Sequence, residues 1–193
     1  MTCSSTWRTD PVAIYNESGL TLDLPDGRHF RFADLPAYKL LSGQKLKEMD
    51  FAWVDAGKLF LLEVRSYAQV STTLTGADFV PVKGESAPHR FATLVDKLTD
   101  SLFMLLAAWA DTDCGKSIKA GLPAAAQSRL PLKLVIAIEL PSSLSVHLSG
   151  LRDSLNARMR GRIALSDVRS VALIDYARLL ANPAFSAFIK AQA

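Results

Sequence analysis

The run Leu59-Phe60-Leu61-Leu62-Glu63-Val64 places one carboxylate inside an otherwise apolar segment. A strand this apolar, with no alternation of polar residues, is expected to be buried on both faces. Burying a charge is costly unless it is paired or binds a metal, so the fold has to compensate Glu63. Side chains alternate along a strand, which puts Leu59, Leu61, Glu63, Arg65 and Tyr67 on one face. The candidates to compensate Glu63 are therefore Arg65, a metal ion, or both. Just upstream, Asp50-Phe51-Ala52-Trp53-Val54 is a second strand-like run, and Asp55-Ala56-Gly57 is a turn between the two. The stretch reads as a hairpin with an acid at the head of one strand and an acid-x-base triplet at the tail of the next.

This pattern resembles the PD-(D/E)xK nuclease superfamily, in which an Asp opens one strand and Glu-x-Lys ends the next. Here Asp50 is followed by twelve residues and then Glu63-Val64-Arg65. As an order of elements the resemblance runs over residues 35–140, and its specific part is the hairpin. Met49 stands in place of the motif proline and Arg65 in place of the motif lysine. The resemblance implies an α/β, restriction-endonuclease-like fold with a mixed central sheet flanked by helices. It implies that Asp50, Glu63 and the backbone carbonyl of Val64 hold Mg²⁺ or Mn²⁺, with Arg65 as the third catalytic residue. Hard oxygen donors suit those ions.

Arginine can neutralise developing negative charge but cannot plausibly give up a proton. It also tends to clamp a carboxylate with two hydrogen bonds, which would hold Glu63 away from a metal. Lys97, on the helix that follows, reads either as a stand-in for the missing lysine or as a solvated lysine whose stem covers apolar surface. Glu48 faces the same way as Asp50 if the chain is extended, as an accessory to the metal or as an exposed strand-edge acid.

At 193 residues the chain is read as one domain, with an N-terminal arm and hairpin over 1–34 and a core over 35–193. A net charge of +3 is too small to identify a nucleic-acid-binding protein by itself. Cys3 and Cys114 form no CxxC pair, and the N-terminus has no apolar signal core. No uninterrupted apolar stretch is long enough to span a bilayer, so a cytoplasmic protein without membrane contact is expected.

Residues 1–11 read as a loose arm. Leu20–Leu24 and His29–Phe32 alternate about Pro25-Asp26-Gly27, which predicts a hairpin. A short helix is expected around Ala37–Leu41, and a long loop over 68–88. Helical spacing of Phe91, Leu94, Val95, Leu98, Leu102, Leu105, Leu106 and Trp109 predicts a helix over 89–110. Arg90, Thr93, Lys97 and Ser101 lie on a polar stripe beside that apolar face. Asp111–Gln127 reads as irregular, Leu132–Leu140 as a buried strand, and 144–160 as a helix capped by Gly161. A strand at Val171–Ile174 and helices at Tyr176–Ala181 and Pro183–Ala191 close the chain. The order predicts a mixed sheet with helices on both faces, and the strands at 50–54, 58–65 and 132–139 as neighbours.

Arg152, Arg158, Arg160 and Arg162, with Arg169, make 152–169 the most basic part of the chain. They can track a phosphate backbone, or merely solvate a helix and complement its C-terminal dipole. Ala110-Asp111-Thr112-Asp113-Cys114-Gly115-Lys116-Ser117 matches a relaxed phosphate loop, which requires a strand before it. His29, His89 and His147 have no metal-ligand spacing. Two functions follow: a metal-dependent DNA nuclease, or a catalytically silent domain of that fold. The silent domain would bind nucleic acid or serve a larger complex; a homodimer or a protein partner fits either.

Overall fold

The computed structural model describes residues 12–41, 43, 45–68 and 74–192. The arm at 1–11 lies outside the described residues, as do Ser42 and part of the loop expected at 68–88. Among the described residues eight strands form two sheets. A five-stranded mixed sheet has the order β3-β4-β5-β6-β7, and a three-stranded antiparallel sheet has the order β1-β2-β8. In the larger sheet β3 is His29–Phe30, β4 Phe51–Asp55, β5 Lys58–Ser66, β6 Leu132–Glu139 and β7 Ala172–Asp175. The smaller sheet comprises β1 (Val12–Glu17), β2 (Leu20–Pro25) and β8 (Ile189–Ala191).

The hairpin at the heart of the sequence is present as read. β4 and β5 pair antiparallel with Phe51 opposite Leu62 and Asp55 opposite Lys58. The two central turn residues, Ala56 and Gly57, both have positive φ, the geometry that matches the twist of a two-residue hairpin. β5 then pairs in parallel with β6, and β6 with β7, so each of these steps needs a crossover. Helix α2 (His89–Trp109) supplies the first and α4 (Leu148–Ala164) the second.

Alternation along β5 divides the interior in two. Leu59, Leu61 and Tyr67 pack with Leu94, Leu98 and Leu105 of α2 and with Leu151, Leu155 and Met159 of α4. Phe60, Leu62 and Val64 point the other way, into a second cluster. It holds Trp53, Leu20, Leu22 and Leu24 of the small sheet and Leu179 and Phe185 of the closing helices α5 (Tyr176–Ala181) and α6 (Pro183–Ser186). The strands between the two clusters are apolar on both sides, and Glu63 is the exception on β5. Among the described residues no helix is long and apolar enough to cross a membrane.

Several expectations need correction. Residues 20–24 and 29–32 do not pair with each other. β2 is flanked by β1 and β8, whereas β3 joins the other sheet beside β4. Leu20, Leu22 and Leu24 are all buried, and their backbone finds its partner in residues 12–17. That strand exposes Val12 and Ile14 and so gave no apolar signal. Pro183–Ala191 is a single turn of helix followed by β8, not one helix. Gly161 lies inside α4, which runs on to Ala164.

The segment read as irregular contains α3 (Asp113–Gly121), capped by the Thr112 hydroxyl, which accepts from the Gly115 N–H. This also removes the phosphate loop, because α2 rather than a strand precedes residues 110–117. Gly115 is packed rather than open: a Cβ there would lie 2.0 Å from the Ala107 carbonyl oxygen. Helix propensity alone favours Ala over Gly by about 1 kcal/mol, but this clash is with backbone and cannot be relieved by a rotamer. Gly115→Ala is therefore expected to destabilise the fold by about 1–3 kcal/mol, read as a lower midpoint in urea unfolding.

Candidate active site

Glu63 ends the apolar run of β5 with its side chain on the α2 face, where it is 1% exposed. Its neutralising partner comes from α2. Lys97 Nζ donates to Glu63 Oε2 at 2.9 Å and lies 2.8 Å from Oε1. The same ammonium donates to Asp50 Oδ1 at 3.1 Å. Asp50 and Glu63 therefore meet on one nitrogen, from the head of β4 and the tail of β5. Arg65, two residues further along the same face, places Nε 2.6 Å from Glu63 Oε1. Its side chain is 35% exposed, so Arg65 closes the cluster on the solvent side while Lys97, at 11%, closes it from within.

The second oxygen of Asp50 accepts the Val64 N–H at 2.9 Å. A strand residue turns its N–H and C=O to the same side, so the Val64 carbonyl faces the Asp50 side as well. Arg31 Nε donates to the Asp50 carbonyl at 3.2 Å. The chain leading into Asp50 is strapped to α2: the Lys47 N–H donates to Asp100 and the Met49 N–H to the Ser101 hydroxyl, both at 2.9 Å. These bonds fix Asp50 relative to Lys97 through backbone, not through side-chain chance.

Lys97 is thus not a solvated lysine lying over apolar surface. It is buried, and the polar stripe on which it sits turns inward because two carboxylates wait at the sheet's end. Residues 46–49 are not a strand, and Glu48 accepts a hydrogen bond from the Tyr38 hydroxyl on α1 (Pro36–Leu41). Burial and the Glu48 carboxylate together raise the Tyr38 pKa well above its usual value.

The basic residues of α4 divide. Arg152 lines a cleft with Ile138, Asp175 and Arg178 at the carboxyl ends of β6 and β7, the same rim that carries Glu63. Arg162 packs beside Leu102, Phe103 and Leu106, more than a turn beyond Lys97 along α2. Its guanidinium donates to the Arg158 carbonyl. Arg160 faces Arg169 and Ser170 on another side. Only Arg152 of the four shares the rim with the carboxylates. Arg178, and Arg90 with His89 at the start of α2, share it too, and sequence reasoning gave none of them a site role. The signal for Arg90 was its place on the stripe Arg90-Thr93-Lys97.

The donor set fits a hard divalent ion. Among the described residues no three His, Cys, Asp or Glu side chains gather. Asp50 and Glu63 bring two carboxylates onto one nitrogen, and Mg²⁺ takes such a partial set with water or phosphate oxygens for the rest. Glu63 Oε1 is buried between two cations, 2.6 Å from Arg65 Nε and 2.8 Å from Lys97 Nζ. No protein-family model matches the chain, nor does any curated protein or solved structure.

Burial, reinforced by the Asp50 charge, pushes the Glu63 carboxyl up to about 7, with Lys97 and Arg65 opposing. A carboxyl with a raised folded-state pKa binds more protons folded than unfolded. Its contribution to stability is full below the unfolded value of 4.5 and is lost as pH rises through about 7. Glu63→Gln should remove that dependence: urea midpoints of the variant should fall less than those of the wild type between these pH values. Parallel curves would place the titration elsewhere.

Proposed function

We propose that this protein is a metal-dependent nuclease of restriction-endonuclease-like fold that hydrolyses DNA phosphodiesters. The observation that carries the reading is the Lys97 ammonium, 3.1 Å from Asp50 and 2.8 Å from Glu63 at the mouth of the β4–β5 hairpin. The lysine missing from position 65 is supplied by α2, so an acid, an acid and a lysine stand together although the motif is incomplete. Asp50, Glu63 and the Val64 carbonyl would hold Mg²⁺ or Mn²⁺. Such an ion supplies stabilisation of the charge that builds on phosphorus and a more acidic attacking water.

The protein's own groups have separate tasks. Lys97 uses two of its three donors on Asp50 and Glu63, which hold it in place before substrate arrives, and has the third for water or a non-bridging phosphate oxygen. Arg65 lies on the solvent side of the cluster, where its planar fork can meet phosphate as readily as Glu63. Hydrolysis joins the water oxygen to phosphorus and breaks one phosphorus–oxygen ester bond, releasing a hydroxyl and a phosphate end.

One observation favours a second reading. Arg65 lies 2.6 Å from Glu63 Oε1, and with Lys97 it balances the two carboxylates charge for charge. A catalytically silent domain, kept for nucleic-acid binding or assembly, would carry such a closed cluster for stability alone.

The two separate in one experiment, cleavage of single- and double-stranded DNA with Mg²⁺ or Mn²⁺ beside thermal melts. Asp50→Ala and Glu63→Ala should abolish cleavage. Lys97→Met should lower the rate by about 10²–10³-fold, the usual cost of one preorganised donor. Arg65→Lys should keep activity or raise it. Absence of cleavage under either metal, with Glu63→Ala costing about 3–5 kcal/mol as a broken buried pair does, would establish the silent domain instead.

A further inference from the structure

Beside the carboxylate cluster lies a cleft of about 280 Å³, lined by Arg65, Ser66, Tyr67, His89, Arg90 and Thr93, with Ser18 and Leu94 at its edges. Among the described residues that line it there is no carboxylate. Glu139 and Glu17 accept from the Ser66 and Ser18 hydroxyls, and the Asp78 carboxylate lies within electrostatic reach of Arg90. Arg90 is held in place: its guanidinium carbon sits 4.9 Å from the Tyr67 ring centroid, in cation–π range. Tyr67 is in turn seated edge-on against buried Phe79, with the centroids 5.0 Å apart. An arginine ordered in this way loses less freedom when it meets a ligand.

The cleft is continuous with the cluster through two elements. Arg65 belongs to both, with Nε on Glu63 and its side chain in the cleft wall. Arg90, Thr93 and Lys97 follow one another along α2, and seven residues of helix span about 10 Å. Two guanidiniums, an imidazole and the Thr93 hydroxyl match a tetrahedral oxyanion rather than an apolar ligand. The volume is below the about 300–1,000 Å³ of pockets that enclose drug-sized molecules. It suits a phosphate with its flanking ester groups.

We propose that this cleft seats a backbone phosphate of the DNA strand, adjacent to the phosphodiester that lies against Asp50 and Glu63. The inference rests on the nuclease reading for the identity of the strand. Arg90 is here a positioning residue, which holds the substrate without touching the reacting atoms.

The test is fluorescence anisotropy of a labelled DNA duplex and a labelled single strand, without divalent metal, over a series of salt concentrations. Arg90→Gln should weaken binding roughly tenfold at every sequence and reduce the salt slope by about one, as loss of one phosphate contact does. Arg90→Lys should restore the slope. Lys116→Gln, on α3 beyond the other end of α2, should leave the affinity close to wild type. An Arg90→Gln protein with wild-type affinity and slope overturns the subsite, and DNA cleavage that still depends on Asp50 would leave the nuclease reading standing. A flattened slope in a protein that cuts nothing supports the subsite and removes the nuclease.

Should Arg90→Gln fail to fold, amide NMR of the wild type titrated with inorganic phosphate and with thymidine 3′,5′-bisphosphate decides the matter. Shifts at residues 65–67 and 89–93, larger with the bisphosphate, support the subsite. Shifts elsewhere, or none, overturn it; equal shifts with both probes indicate a free-phosphate site and overturn the strand assignment.

Discussion

The buried carboxylate of Glu63 is the constraint to which the rest of this structure answers. A charge at the end of an apolar strand, 1% exposed, is tolerable only with close compensation. Lys97 provides it from a helix separated by a long connection, and Arg65 adds to it from the same strand. Breaking such a set is costly because each removed partner leaves another charge stranded. That cost ties the register of α2 to the tail of β5, and through Asp50 to the head of β4. The hydrogen bonds from the Lys47 and Met49 backbone to Asp100 and Ser101 repeat the same tie a turn further along.

The position of the cluster follows from the chain's topology. β5, β6 and β7 run in parallel, and their crossover helices α2 and α4 both begin at the carboxyl ends of the strands. Loops and helix starts therefore collect on one rim. Glu63, Arg65, Arg90, Arg152 and Arg178 come from four elements, β5, α2, α4 and α5, and share that rim, where clefts open. In open α/β sheets the crevice outside the strand carboxyl ends is where ligands bind. On the opposite face of the sheet Trp53, Phe60 and Phe185 pack beneath the small sheet.

What could be read beforehand was whatever depended on local period. The β4–β5 hairpin, α2, β6 and β7 carry strong alternation, apolar runs or helical spacing, and they emerged within a residue or two. β1 escaped because its outward residues include Val12 and Ile14, so its pattern has no clean polar face. The pairing of β2 was misassigned because a Pro-Asp-Gly turn signals a reversal but not which strand the next segment joins. α3 was hidden by two glycines, although Thr112 before Asp113 is a helix start. In the cluster, the nearness of Asp50, Glu63 and Arg65 follows from the hairpin, whereas the burial of Lys97 is tertiary. A lysine on a polar stripe turns inward only if acids stand opposite, and sequence spacing does not say where a strand forty residues earlier will end.

The four charges in the cluster sum to zero, which raises the question of why the sheet keeps them rather than apolar residues. Ion pairs of this kind are weak evidence for stability, since apolar replacements of the same volume are often at least as stable. Under the proposed function the carboxylates would exchange a lysine and an arginine contact for a divalent ion, and the charges would serve that exchange. The most direct measurement is Mn²⁺ binding followed by electron paramagnetic resonance, with DNA present. The account predicts saturable binding in the wild type that is lost in Asp50→Asn and Glu63→Gln proteins that remain folded. Binding that is absent in the wild type, or equal in all three, would contradict it.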